Sequence, residues 1–178
     1  MKRRHLLVCS VLLLAGCATA PIADKRVRSG RFSLQIIRRD ERDSLAGRWR
    51  LQESAGEIEL TLMTPLYGIL ARIRVGENGA TLERPNKEGG NAIETAESAQ
   101  ALMLRHLGFS LPPEMLASWL SGTSWAGAAA EQTAEGFIQA GWQVVVKRLK
   151  PDGSPALVTL AQPETALQAA ITVNLVIE

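Results

Sequence analysis

The strongest constraint on this chain's fold is a two-residue alternation that stops, yields to a helical period, and then resumes. Phe32, Leu34 and Ile36 alternate with Arg31, Ser33 and Gln35. That pattern sends successive side chains to opposite faces and marks a half-buried strand. A second strand covers 45–52, with Trp49 and Leu51 on one face and Arg48 and Arg50 on the other. In a third, Ile58, Leu60 and Leu62 alternate with Glu57, Glu59 and Thr61. Strand resumes over 69–75, Glu77-Asn78-Gly79 forms a hairpin turn, and another strand begins over 80–83. The charged run 38–43 reads as a solvated turn and 84–91 as a polar, glycine-rich loop. These pieces make an antiparallel meander with one wet face and one apolar face.

The period then changes. From 95 to 107, Ala99, Leu102, Met103 and Leu107 follow helical spacing, and Gly108 stops the run as a C′ glycine does. Pro112-Pro113 opens a second short helix with Met115, Leu116, Trp119 and Leu120 on its apolar side, ended by Gly122. An alanine-rich connection covers 123–134, and strands return over 137–139, 142–149, 156–160 and 167–177. Strands, two helices, then strands is not the alternation of a parallel α/β sheet. The expected fold is mainly β with α, an open, curved antiparallel β-sheet with the helices packed across its concave side. A sheet that curls in this way holds either a filled core or an apolar cavity, and the pattern leaves both open.

The N-terminus sets where such a domain works. Lys2, Arg3 and Arg4 precede an apolar run over 6–14, which is a secretory signal too short to span a bilayer comfortably. Leu14-Ala15-Gly16-Cys17 follows, matching a bacterial lipobox in which Cys17 is acylated and becomes the mature N-terminus. Burying acyl chains is worth roughly 0.8 kcal/mol per methylene, so two or three chains anchor firmly. Ala18 rather than Asp follows the cysteine, which favours the outer membrane over retention at the inner one. The expected organisation is a signal peptide over 1–16, an acylated tether over 17–28 containing Pro21, and one domain over 29–178, facing the periplasm.

Composition narrows the chemistry. Removing residues 1–16 takes three of the 20 Lys and Arg and none of the 18 Asp and Glu, leaving 17 against 18 and a net charge of −1. Nothing calls for nucleic acid, which needs a basic face. With Cys9 in the signal and Cys17 lipidated, no thiol pair remains. His106 is the only histidine left, in a helical pattern near a C-terminus, and there is no G-x-S-x-G elbow. No catalytic residues, metal ligands or cofactors are therefore assigned. A carboxylate hydrolase using Glu57, Glu59 or Asp152 stays open as a minor alternative.

Thr64-Pro65-Leu66-Tyr67-Gly68 interrupts the meander as a loop or bulge. Taken alone, a leucine in such a loop reads as a side chain tucked back into the core. In sequence order, the lipobox, Gly30-Arg31-Phe32, Gly47-Arg48-Trp49, the run from Ile58 to Leu66, Leu111-Pro112, Trp119-Leu120-Ser121-Gly122 and Gln139-Ala140-Gly141-Trp142 resemble the LolB family of outer-membrane lipoprotein receptors. The resemblance implies an unclosed antiparallel barrel, lidded by helices, around an acyl-binding cavity. It implies a receptor that takes acylated lipoprotein cargo from a periplasmic, LolA-like carrier and inserts it into outer-membrane lipid. It implies too that the loop Pro65, Leu66, Tyr67 and Gly68 protrudes and that Leu66 touches the membrane. Tyr67 stands where the family usually has glycine, and tyrosine suits a membrane interface. Phe32, Trp49, Leu62, Trp119 and Trp142 are the expected cavity lining, and a monomer is expected. A pilotin-like lipoprotein that binds a protein partner in envelope assembly is the alternative with the same anchor and β-rich body.

Overall fold

The computed structural model describes residues 25–39, 41–66, 68–165 and 169–178; the signal, Cys17 and residues up to 24 lie outside them. In chain order the elements are β1 (Arg26–Arg38), β2 (Glu41–Ser54), β3 (Glu57–Thr64), β4 (Gly68–Gly76), β5 (Gly79–Pro85) and β6 (Asn91–Ala96). Then come α1 (Ala99–Leu107), α2 (Pro113–Trp119), β7 (Ala130–Thr133), β8 (Gly136–Gln139), β9 (Trp142–Leu149), β10 (Pro155–Gln162) and β11 (Ala170–Ile177). All strands belong to one 11-stranded sheet in the order β6-β5-β4-β3-β2-β1-β11-β10-β9-β8-β7. Two meanders are joined where the first strand pairs antiparallel with the last, Phe32 opposite Leu175 and Leu34 opposite Val173.

This order explains the helices. The two sheet edges, β6 and β7, do not pair with each other, so the barrel is unclosed. The chain between those edges is the segment that carries α1 and α2, and it crosses the open side. There α1 packs on β4, β5 and β6, and α2 on β3 and β4. Ser98 caps α1 by accepting from the Ala101 N–H at 3.3 Å, and Gly108 ends it with φ 76°. Pro113 at the first turn of α2 loses no helical hydrogen bond there.

The core follows the alternation. Phe32 and Leu34, Leu60 and Leu62, Val158 and Leu160, and Val173 and Leu175 all bury one face of their strands against the helices' Leu102, Met103, Leu116 and Trp119. Two glycines of the resemblance have a steric reason here. A Cβ on Gly30 would collide with the Val176 carbonyl oxygen, and one on Gly47 with that of Met63. Close backbone approach leaves room only for hydrogen.

Three expectations are corrected. The charged run 38–43 is a turn only at its tip, around Arg39, because β1 continues to Arg38 and β2 starts at Glu41, with Ile37 opposite Arg42 and Ile36 opposite Asp43. Its charges lie on an exposed hairpin arm, where a ladder needs no apolar residue. Thr95 and Ala96 belong to β6 rather than to α1; Ala96 fits either period, and only the Ser98 cap fixes the start. The alanine-rich connection contains β7, a short edge strand without apolar alternation. The final strand is described from Ala170, and Leu167 lies outside the described residues.

Candidate functional site: an apolar interior with an exposed hairpin

The concave side of the sheet encloses a small cavity of about 20 Å³ whose lining is wholly apolar. Strands contribute Phe32, Leu34, Leu60, Leu62, Val173 and Leu175, in same-face pairs two residues apart. The helical segment covers it with Leu116 and with Phe109 and Leu111 from the α1–α2 connector. Ligand sites for small molecules run to roughly 300–1,000 Å³. The cavity's lining is thus apolar throughout, and its space is nearly filled by these side chains.

Of the five expected lining residues, Phe32 and Leu62 are on this cavity wall. Trp49, Trp119 and Trp142 are buried elsewhere in the core. Indoles tolerate such burial when the N–H has a partner. Trp49 Nε1 donates to the Arg31 carbonyl at 3.2 Å, and Trp119 Nε1 donates to Gln139 Oε1 at 2.8 Å. Leu34 and Leu60 were readable as the same-face neighbours of Phe32 and Leu62, whereas Val173 and Leu175 reach the cavity through the pairing of the first strand with the last. Leu70 was not, because a bulge in β4 changes its parity: Leu62 faces Ala71, but Met63 faces Ile69.

Gln139 carried no functional signal in the sequence and is a structural hub. Its side chain, 1% exposed, accepts from Trp119 Nε1 and from the Trp125 N–H, and donates to the carbonyls of Trp125 and Ala128 at 2.8 Å each. It ties the end of α2 and the chain that follows to β8. Arg28 ties the same helix to β1, donating to the Ala117 carbonyl at 2.5 Å and to Ser121 Oγ at 2.9 Å. A cation beside the last carbonyls of a helix suits the helix dipole.

Leu66, in the turn between β3 and β4, is 85% exposed, and Pro65 beside it is exposed as well. Gly68 opens β4 with φ 66°, a conformation that costs glycine little. Tyr67 lies outside the described residues. A wet leucine at a hairpin tip gains nothing from the fold that presents it, since burial is worth roughly 1.5–3 kcal/mol for such a side chain.

Several charged groups are engaged in ion pairs or turns. On the outer face Glu59 pairs with Arg74 at 2.8 Å and Arg72 at 3.5 Å, and Glu83 pairs with Arg72 at 2.9 Å. Partial burial alone would raise the Glu83 carboxyl, but hydrogen bonds from Arg72 and Asn91 and the charges of Arg72 and Arg74 outweigh it. They hold it below the usual carboxylate value. Asp152 is held low by the Ser154 hydroxyl and backbone N–H in a surface turn. Glu57 is exposed at the start of β3. A general acid is favoured by a raised pKa, and neither shifted group moves that way. His106 Nε2 lies 2.7 Å from Glu94 Oε2, with Arg84 on the other oxygen at 3.2 Å. Among the described residues no group of three or more His, Cys, Asp or Glu is placed to hold a metal, and no helix is long and apolar enough to cross a membrane.

Residues 26–178 match the model of the family described as outer membrane lipoprotein LolB. The chain is similar to outer-membrane lipoprotein LolB of Cupriavidus metallidurans, with 32% identity over 160 residues, covering 80% of this chain and 76% of the relative. It is 35% identical to the protein of that name from Cupriavidus pinatubonensis, covering 80% and 75%. The one from Vibrio cholerae is 30% identical over 129 residues, covering 65% of this chain and 60% of the relative.

Proposed function

The chain belongs to the LolB family of outer membrane lipoproteins, and on that premise we propose that it is a receptor for acylated lipoproteins at the outer membrane. It accepts cargo from a periplasmic, LolA-like carrier and passes it into the bilayer. It acts by binding rather than by catalysis, and Cys17, acylated, holds it at the destination. The observation that carries this reading is the wholly apolar cavity lining on the concave side of an unclosed sheet, with Phe32 and Leu62 among its walls. An acyl chain is matched by such walls, and not by the Glu59–Arg72–Arg74–Glu83 network of the outer face.

The energetics favour a downhill relay. Each methylene kept from water is worth roughly 0.8 kcal/mol, so a triacylated cargo does not cross the periplasm unshielded. No phosphate-binding G-x-x-x-x-G-K-[ST] motif occurs in the chain. Transfer therefore runs from a weaker carrier to this interior and on to the membrane. Leu66, exposed at its hairpin tip, is the side chain that enters the bilayer surface. Pro65 and Gly68 shape the turn that presents it, and Tyr67 adds an interfacial ring.

The test uses liposomes bearing the full chain and a carrier loaded with labelled triacylated lipoprotein, followed by flotation. Label moving to the liposomes without nucleotide is the expected result. Label that remains on the carrier, with the chain folded, overturns the reading. Leu66→Glu should still take label from the carrier but retain it on the protein, because a carboxylate resists entry into the interface. Equal loss of acceptance and release would make Leu66 a structural residue.

A further inference from the structure

β2 is longer than the strand beside it. It pairs with β1 from Arg38↔Glu41 to Arg26↔Glu53, whereas its ladder with β3 begins at Arg48↔Met63. The arm Glu41–Gly47 therefore outruns that ladder by roughly 20 Å at the usual strand rise. Across from this overhang β4 carries its bulge, which leaves Leu70 without an opposite residue. Leu70 and Ala71 are adjacent, yet Leu70 lines the cavity and Ala71 is fully buried. Bulges re-aim side chains in this way. Pairing and alternation thus fail on the two sides of one opening.

A groove of about 300 Å³ runs through that opening. Leu34, Leu45, Leu70 and Phe109 line both the groove and the small cavity, so the groove is the cavity's outer end. Its rim is polar, with Asp43, Ser44 and His106. Apolar walls with a few polar groups at the mouth suit a hydrocarbon chain that carries an ester or amide head. The opposite end of the sheet has a larger open groove, about 620 Å³, among Glu57, Arg74, Glu77 and Asn78. Volume favours that end, but its charges would have to be stripped of water against hydrocarbon. The lining decides for the smaller one.

We propose that the notch between the β2 overhang and the β4 bulge is the port through which acyl chains enter and leave the interior, with Phe109 as its plug. This deepens the receptor reading and rests on it. Phe109 sits in the connector between helices pinned by Gln100 to Glu114 at 3.0 Å, by Arg28 to Ala117 and by Trp119 to Gln139. Gly108, at φ 76°, is the joint on one side of the plug. The port opens at the end of the sheet where the β3–β4 turn presents Leu66, since β1 ends, β2 begins and β3 ends there. A chain leaving it emerges toward the same end of the sheet as Leu66.

The experiment places a photoreactive amino acid at Ser44 or, as control, at Glu77 in the full chain on liposomes. Each is mixed with a labelled triacylated lipopeptide and illuminated during uptake. Both positions are exposed, so neither substitution perturbs the core. Adducts at Ser44 and not at Glu77 are expected, with the Ser44 adduct lost when Phe109→Trp fills the passage. Lipopeptide that binds the unsubstituted chain but labels Glu77 as well as or better than Ser44 overturns the port and leaves the receptor reading standing. Lipopeptide that does not bind the unsubstituted chain at all overturns both. Should Phe109→Trp unfold the chain, the Ser44 and Glu77 comparison alone decides.

Discussion

Gln139 shows how much one side chain can hold. Four hydrogen bonds converge on a fully buried amide, and every partner belongs to the helical cover or the chain leaving it. Gln139→Ala strands the Trp119 indole N–H, the Trp125 N–H and two carbonyls, and should destabilise the domain by about 2–4 kcal/mol. The midpoint of urea unfolding measures this. Glu83 makes a different prediction. Its carboxyl is held below the ordinary value of 4.5, chiefly by Arg72 and Asn91 against the opposing effect of burial. A depressed acid contributes stability that is present above its unfolded value and lost as pH falls through its folded one. Glu83→Gln should therefore lower stability at neutral pH and give a shallower acid loss below about pH 4.5, followed by urea midpoints across pH. Neither residue announced its role in the sequence. Gln139 is a polar letter beside a turn, and its burial follows from a helix that packs there only after folding. Glu83 is one of 18 acidic residues until β4 brings Arg72 opposite it.

At the scale of elements, Gln139-Ala140-Gly141-Trp142 is a two-residue hairpin in which Ala140 and Gly141 have φ 51° and 79°. Positive φ at both central positions is the type I′ pattern, favoured by Asn-Gly. Ala140→Asn relieves a strained left-handed alanine and should stabilise the domain by about 0.5–1 kcal/mol in thermal or urea unfolding. No gain would mean that the surrounding hub already fixes the turn at no cost. Strands with one buried face were legible, because burial imposes alternation: Phe32 and Leu34, Ile58 through Leu62, and the start at Trp142 all read directly. Elements that bury little were not. The β1–β2 arm carries charges at Arg38, Glu41, Arg42 and Asp43, and β7 is a four-residue edge. Both are held by backbone pairing, which leaves no periodic trace in side chains. The bulge at Leu70 is illegible for a related reason, since it is a property of two strands and not of one.

The whole molecule balances a filled interior against one that must take hydrocarbon. Periodicity showed that a curved sheet faced two helices, and residue resemblance supplied the cavity; neither indicated that the cavity is nearly closed, since that depends on where Phe109 and Leu111 rest. Closure stabilises the empty protein and taxes binding, because a ligand's apparent affinity falls with the fraction of molecules open to it. Phe109→Ala should separate the two effects. Phe109 is 6% exposed, so truncation should cost about 3–5 kcal/mol of stability. It should also leave a dry apolar space of the kind that binds apolar ligands. Sparing about 1.4 kcal/mol of plug displacement would tighten lipopeptide binding about tenfold. Trp49→Ala, at a buried site outside the cavity lining, should cost comparable stability and bring no such gain. Unfolding and lipopeptide titration on both variants give the answer. Stability and affinity moving in opposite directions only for Phe109 identifies it as the group that yields to the chain. Parallel losses in both variants would mean that the interior admits hydrocarbon by another route, or by a wider opening of the helical cover.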